Sequence, residues 1–343
     1  IDQVIEGDGE QQIIDLLSEN CDSRPVPVAS LESYSIPDYS DYDIECYQFD
    51  NKETIWPIVG SKGCVRSCDF CDVGKLFGRY RYREPQDVVN EMIYLNRSIG
   101  ARRFGFTDSL VNGGLKPFKE FLELLAQHNQ QNPNNTISWQ GNYICRPSSQ
   151  VPKEIYALMQ MAGADHLVIG AESGSDDVLA AMNKKTSVQS LFDELSQFRK
   201  HGITCQLLLT VGHWSETHLD FLQHLDMLID LVPYVRSQTV TSVRIGFPMT
   251  IIPGTPSHEN MQKNRIEGAG MVYFCHNNPN NTISEKVYRQ LTILKLGQRL
   301  GIIDGSFVIG DLTYSLNAVM SSRYINEFYD KFFFGYLKQK ICT

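Results

Sequence analysis

From Thr54 to Phe247 the chain alternates two kinds of hydrophobic pattern. Short apolar runs of strand type alternate with segments whose apolar residues recur every three or four positions, the spacing of a helix with one buried face. The runs at 55–59, 103–107, 136–143, 166–171, 203–211 and 242–247 are the predicted strands. Helical patterns lie between them: one opening at Pro85, with Val88, Val89, Met92 and Ile93 on its apolar stripe, then 117–128, 153–161, 176–182, 188–200 and 216–231. Pro85 suits a helix start, because the N–H it lacks has no intrahelical partner there anyway. Strand–helix units in this succession predict a parallel sheet covered by helices, an α/β fold. In parallel barrels of such units the loops after the strands build the active site.

The flanks follow no such rhythm. Residues 1–20 read as a strand end, a Gly-rich turn and an amphipathic helix, too little to fold alone. Residues 21–53, rich in Pro, Ser, Asp and Tyr, read as a linker or wrapping arm. Beyond the last strand come a turn-rich piece at 251–256, an Asn- and Pro-rich stretch at 277–282 expected to be an exposed loop, and a helix at 285–300. An extended run at 307–316 and an aromatic-dense helix at 322–338, its rings assigned to core or interface, follow. The expected division is a tail at 1–20, an arm at 21–53, a barrel at 54–256 and a mainly helical C-terminal extension at 257–343. The chain opens on Ile1 rather than Met, as a fragment or processed form would.

Hydrophobic content of 42% and charged content of 21% over 343 residues are those of a globular protein with a sizeable core. No apolar run approaches the roughly 18 residues of a membrane span, and no signal peptide is visible. The net charge of −9 argues against a nucleic-acid partner, which calls for a basic face. One basic-aromatic cluster, Arg79-Tyr80-Arg81-Tyr82-Arg83, reads as a solvated loop closing a site.

The nine cysteines change the picture. Cys64, Cys68 and Cys71 fall within one short stretch, spaced C-x3-C-x2-C, with Phe70 just before the last. Three such thiolates can hold three irons of a [4Fe–4S] cube, which ordinarily takes four cysteines. One iron is then left for a non-protein ligand, as a catalytic metal site keeps a position free. Structural zinc asks for a fourth ligand at comparable spacing, and the next His is His128. A disulfide framework does not suit so long a chain with scattered cysteines. Cys21, Cys46, Cys145, Cys205, Cys275 and Cys342 read as unpaired thiols of a reducing, cytoplasmic compartment. Cys145 and Cys205 fall near strand ends facing the site and are kept as minor candidates for chemistry.

The cysteine motif with its aromatic resembles the signature of the radical S-adenosylmethionine (SAM) superfamily. The resemblance implies an incomplete (β/α)6 TIM-type barrel, a cluster ligated by Cys64, Cys68 and Cys71, and SAM chelated to the open iron. It also implies reductive cleavage of SAM to a 5′-deoxyadenosyl radical that abstracts hydrogen from a substrate, with Phe70 packing near the adenine. Thr107-Asp108-Ser109, after the second predicted strand, stands where many relatives carry Gly-Gly-Glu, so Asp108 is the candidate partner of the SAM amino group; a turn or helix-cap Asp is the alternative. Gly170-Ala171-Glu172-Ser173-Gly174-Ser175 is similar to the family's Gly-x-Glu-Ser-Gly-Ser, which points Glu172 and Ser173 to the ribose or methionine end of SAM. After the fifth strand Gly212, Glu216 and Thr217 keep the family pattern, while His213-Trp214-Ser215 depart from it. Backbone at Gly212 is then an adenine contact, His213 and Trp214 are candidates for a substrate-specific surface, and a plain helix cap at 215–217 is the alternative. Gln140, Asn142 and Arg146 face the same rim; Arg146 is assigned to the SAM carboxylate or to an ordinary salt bridge. Pro253-Gly254-Thr255 is similar to the family's substrate-side PGT element.

Residues 1–20 and 36–42 resemble the end of the cobalamin-binding domain and the connector found in cobalamin-type members, so cobalamin is a further cofactor the resemblance admits. It implies a small-molecule substrate, an electron donor such as flavodoxin or ferredoxin, and methyl transfer or rearrangement as the reaction. The alternatives are a cobalamin-independent, methylthiotransferase-like enzyme, which needs a second cluster, and a non-enzymatic iron–sulfur or zinc protein.

Overall fold

The computed structural model describes residues 10–17, 31, 35–47, 54–246, 248–269 and 272–303. The expected run at 307–316 and aromatic helix at 322–338 lie outside the described residues.

In chain order, α1 (Glu10–Leu17) leaves Ile13, Ile14, Leu16 and Leu17 exposed. The arm reaches the barrel at Tyr39, whose ring packs edge-on against Trp56, 5.0 Å between centroids. β1 (Ile55–Ile58) leads into a ribbon, β2 (Ser61–Lys62) paired antiparallel with β3 (Arg81–Tyr82), that encloses the cysteine loop and its short helix α2 (Val73–Phe77). α3 (Pro85–Ile99) begins on the proline and ends at Gly100, whose φ of 73° closes the helix in the left-handed region. Then come β4 (Arg103–Phe106), α4 (Leu115–Gln131), β5 (Ser138–Tyr143), α5 (Glu154–Met161) and β6 (Ala164–Glu172). Two helices follow, α6 (Asp176–Ala181), capped by the Ser175 hydroxyl, and α7 (Val188–His201), capped by Ser187. β7 (Thr204–Leu209) precedes α8 (His218–Asp230), which opens on a Thr217/Asp220 capping box. α9 (Val232–Arg236) and β8 (Val240–Ile245) complete the repeat. The extension carries α10 (Pro256–Glu259), a hairpin of β9 (Ile266–Ala269) and β10 (Val272–Cys275), and α11 (Ile283–Leu300).

The sheet runs β1-β4-β5-β6-β7-β8, every pairing parallel, so each expected strand sits beside the next in sequence. β1 and β8 do not pair with each other, and the barrel is incomplete. Alternation along the strands explains its two faces. Trp139 and Tyr143 of β5, Leu167 and Ile169 of β6, and Leu207 and Leu209 of β7 are buried beneath the helices. The intervening Gln140, Asn142, His166, Gln206 and Arg244 keep solvent access on the concave side. Arg103 and Asp165 form an ion pair on β4 and β6.

Two expectations change at this level. The 79–83 cluster is solvated only in part: Arg79 and Tyr82 are exposed, but Arg83 is buried, ion-paired to Glu91 at 2.7 Å and hydrogen-bonded to the Val59 carbonyl. Tyr80 lies against Gly113, where an added Cβ would come within 2.3 Å of the ring. The stretch 277–282 is not simply exposed, since Asn281 is buried. Its amides are spent on the backbone of another loop, described below.

Candidate functional site

Cys64, Cys68 and Cys71 stand on the loop after β1, at the carboxyl end of the sheet, and all three are free thiols. Cys68 is buried and burial pushes its thiol up to about 11; Cys71, half-buried, is raised for the same reason. Among the described residues no three His, Cys, Asp or Glu side chains converge as one metal ion requires. The backbone N–H of Arg66 points at the Cys64 sulfur, 3.3 Å away.

The cysteine loop is tied to a loop from each of the other five strands. After β4, Asp108 accepts from the Gly60 N–H at 2.9 Å and from the Ser61 hydroxyl at 2.6 Å. After β5, the Cys145 carbonyl accepts from Arg66 at 3.5 Å. Beyond α6, the Met182 carbonyl accepts from the Asp69 N–H at 3.0 Å, and Asn183 donates to the carbonyl and hydroxyl of Ser67. After β7, His213 Nε2 and Trp214 Nε1 lie 2.9 and 3.3 Å from one oxygen of Asp69. After β8, the Ser257 hydroxyl donates to that same oxygen at 2.7 Å and its N–H to the Asp69 carbonyl at 2.8 Å. Burial opposes ionisation of Asp69, but the bonds from His213, Ser257 and Trp214 outweigh it and hold the carboxyl below its ordinary value.

Residues 58–228 match the family described as the radical SAM superfamily. The chain belongs to the radical SAM superfamily. Among curated relatives, a bacteriochlorophyllide d C-12(1)-methyltransferase of Chlorobaculum tepidum is 30% identical over 218 residues, 61% of this chain and 43% of that protein. A ribosomal protein uS12 methylthiotransferase, RimO of Bacteroides fragilis, is 27% identical over 264 residues, 73% of this chain and 57% of that protein. The chain thus spans about half the length of the curated relatives it matches. The solved structure of TsrM from Kitasatospora setae, a radical SAM methyltransferase with cobalamin and a [4Fe–4S] cluster bound, superposes with a TM-score of 0.54 at 19% identity. It covers 71% of this chain and 47% of that one, and shares the fold. A radical SAM fold implies a [4Fe–4S] cluster and SAM.

The residues the sequence pointed to as radical SAM contacts gather at this rim, several with partners of their own. Asp108 is buried and pushed up to about 6, and its carboxylate spans Gly60 and Ser61. Thr107 is exposed beside it, its N–H on the Ile58 carbonyl, and Ser109 is half-buried. In place of the ordinary salt bridge, the Arg146 guanidinium donates to the Asn112 and Gly113 carbonyls at 2.9 and 2.8 Å. Glu172 holds a φ of 60°, a left-handed conformation rare for a side chain of its kind, and pairs with Lys184 at 2.6 Å. Burial works against the charge on Lys184; Glu172 and Cys68 outweigh it, so its pKa is raised. Lys184 also stands 5.8 Å from the centre of the Phe70 ring, which packs on Val178, Met182 and Met249. Ser173 is buried and accepts from the Ser175 N–H. Gly212 has a φ of 83°, its N–H on Glu216 at 2.6 Å and its carbonyl on the Tyr273 hydroxyl. Thr217 is the α8 cap, while Glu216 turns inward to Arg289 at 3.0 Å.

Two expectations fail here. His213 is fully buried and so is no substrate surface. Cys145 and Cys205 are core thiols, Cys205 pushed up to about 12 by burial. Asp69, Asn183 and Lys184 were missed as a group. Asn183 and Lys184 do stand at the end of the Val178–Met182 helical pattern, but nothing in their spacing says that they turn back onto the cysteine loop.

Proposed function

We propose that Cys64, Cys68 and Cys71 hold three irons of a [4Fe–4S] cluster, and that the chain is the catalytic barrel of a cobalamin-type radical SAM methyltransferase acting on a small molecule. The observation that carries the cluster assignment is the cysteine loop itself: three unpaired thiols on one loop, fixed by bonds from the segments that follow the other five strands of the sheet. The thiols fit the group. A buried thiol favours its neutral form until a cation stabilises the thiolate, and iron supplies that charge. When bound, the cluster and SAM supply a radical that abstracts hydrogen from an unactivated carbon.

The chain's own residues then position SAM. Phe70 offers an apolar face for the adenine, beside the Gly212 backbone. Asp108, flanked by Thr107 and Ser109, is the acceptor for the methionine ammonium, whose positive charge would offset the burial that raises this carboxyl. Glu172 and Ser173 are the ribose or methionine contacts. Gly170 leaves them room, since a Cβ there would sit 2.4 Å from Glu172 Oε1. Arg146 acts through the 112–113 backbone it holds, rather than as a lone cation for the SAM carboxylate. The polar concave face, with Gln140, Asn142, Gln206 and Arg244, receives the substrate.

The methyltransferase and cobalamin parts of the reading rest on likeness to the Chlorobaculum relative and to the TsrM fold. The reductant is a low-potential carrier of the flavodoxin or ferredoxin class, in the cytoplasm. A methylthiotransferase-like activity is the second reading, favoured by the RimO relative. Anaerobic reconstitution should give about four irons per chain, and dithionite with SAM should then yield 5′-deoxyadenosine. Cys68→Ala should abolish both. A variant that keeps its cluster would contradict the ligand assignment. In the full-length protein, about eight irons would favour the second reading, whose enzymes carry a second cluster.

A further inference from the structure

His213 and Trp214 depart from the family pattern, and Asp69 stands between two of the cysteines; the three side chains meet. We propose that Asp69 and His213 are a positioning pair through which the loop after β7 fixes the cysteine loop, and with it the seat of the cluster. The inference rests on the assignment of Cys64, Cys68 and Cys71 as cluster ligands.

Both peptide groups of Asp69 are engaged, its N–H on Met182 and its carbonyl on Ser257. One carboxylate oxygen gathers His213 Nε2, Trp214 Nε1 and the Ser257 hydroxyl. The segment between Cys68 and Cys71 therefore cannot shift without breaking bonds to three separate loops. The imidazole is oriented at both ends. Its Nδ1 accepts from the Ser215 backbone N–H at 3.3 Å and faces the Ser215 hydroxyl at 2.7 Å. An acceptor Nδ1 leaves the proton on Nε2, which donates to the carboxylate.

The clamp is itself braced from the extension. Asn281 donates to the Gly212 and His213 carbonyls at 3.2 and 3.0 Å, and Asn278 to those of Trp214 and Glu216 at 3.2 and 2.8 Å. Lys286 fills the space over Gly212, where a Cβ would meet its Cγ at 2.7 Å. A chain of bonds thus runs from the C-terminal extension through His213 to the residue between two cluster ligands. His213 has no exposed surface, so it cannot serve by touching substrate.

The test uses the whole chain, reconstituted anaerobically, as Asp69→Ala, His213→Ala and His213→Gln. Glutamine keeps a donor near the place of Nε2. The alanine variants should lose iron to EDTA about ten-fold faster than the parent, the scale typical for residues that orient metal ligands. The electron paramagnetic resonance spectrum of their reduced cluster should also respond less to SAM. His213→Gln should restore both properties, and the cluster-free proteins should melt within a few degrees of the parent. Parental iron retention and SAM response in Asp69→Ala would overturn the proposal. So would a glutamine variant indistinguishable from His213→Ala, because filling the space with a donor would then have recovered nothing. A parent that takes up no iron sinks the cluster reading and this inference with it; a parent that does, with variants that match it, sinks only the positioning pair.

Discussion

Glu194, on α7, lies with its carboxyl in the shell between sheet and helices, 1% exposed. The Tyr143 hydroxyl at 3.3 Å and the Arg146 N–H at 3.5 Å donate to it and favour its charged form, but its burial beside the core thiols Cys145 and Cys205 outweighs them. Burial pushes it from 4.5 up to about 7. Between those values the folded protein keeps a proton that the unfolded chain has lost, so stability falls as pH rises through this window, and the loss is complete above about 7. The full effect is about 3 kcal/mol. Urea denaturation at pH 5 and pH 8 should show the drop, and Glu194→Gln should reduce it, leaving the share of Asp108, which burial also raises; an unchanged slope in the variant would place the titration elsewhere. None of this is legible in the sequence, where Glu194 is one more acid in an amphipathic helix. The cysteine spacing, by contrast, was legible because ligation chemistry dictates it locally. Asp69 was not, since its meaning lies in partners 144 and 188 residues away.

At the scale of elements the six strands were readable because each packs one face under helices and so repeats every two residues. Boundaries moved by a residue or two, as at β8, read as 242–247 and found at Val240–Ile245, where a bulge beside Cys205 breaks the alternation. The hairpin of β9 and β10 escaped notice because its small apolar set, Ile266, Tyr273 and Cys275, forms a separate cluster with Ile251 rather than joining the main core. The asparagines at 278 and 281 look like loop residues by composition, and only tertiary structure assigns their amides to the Gly212 loop. Arg289 of α11 is the strongest link between these pieces. It is 1% exposed and pairs with Glu216, itself 1% exposed, whose carboxylate also holds the Gly212 N–H. Burial raises Glu216 even with Arg289 beside it. Arg289→Met should cost about 3–5 kcal/mol by leaving that carboxylate without its cation. The double variant with Glu216→Gln should recover much of the loss in chemical denaturation. A double variant no more stable than the single would mean that packing, not charge, dominates the site.

For the whole molecule the pattern of β/α units and the break near residue 256 suggested a barrel with an appended extension. The distribution of apolar contacts argues that the two fold as one. Val287, Leu291, Ile293, Leu294 and Leu296 of α11 belong to the same core as Phe221, Leu225 and Leu228 of α8 and Val243 of β8. Each buried aliphatic side chain contributes roughly 1.5–3 kcal/mol, and domains as a rule retain only about 5–15 kcal/mol in net stability. Removing five such residues therefore consumes the margin, and it also uncovers the apolar faces of α8 and β8. A chain cut after residue 256 should accordingly lose cooperative unfolding and aggregate. One ending at residue 303 should keep a single transition by circular dichroism, because the helix that closes the core is then intact. The same comparison bears on the cysteine loop. If the shorter chain stayed folded, its 210–217 loop would have lost Asn278, Asn281, Tyr273 and Arg289, and its cluster would be the more labile for it. A folded 256-residue chain that holds iron as firmly as the longer one would separate barrel from extension in both stability and function.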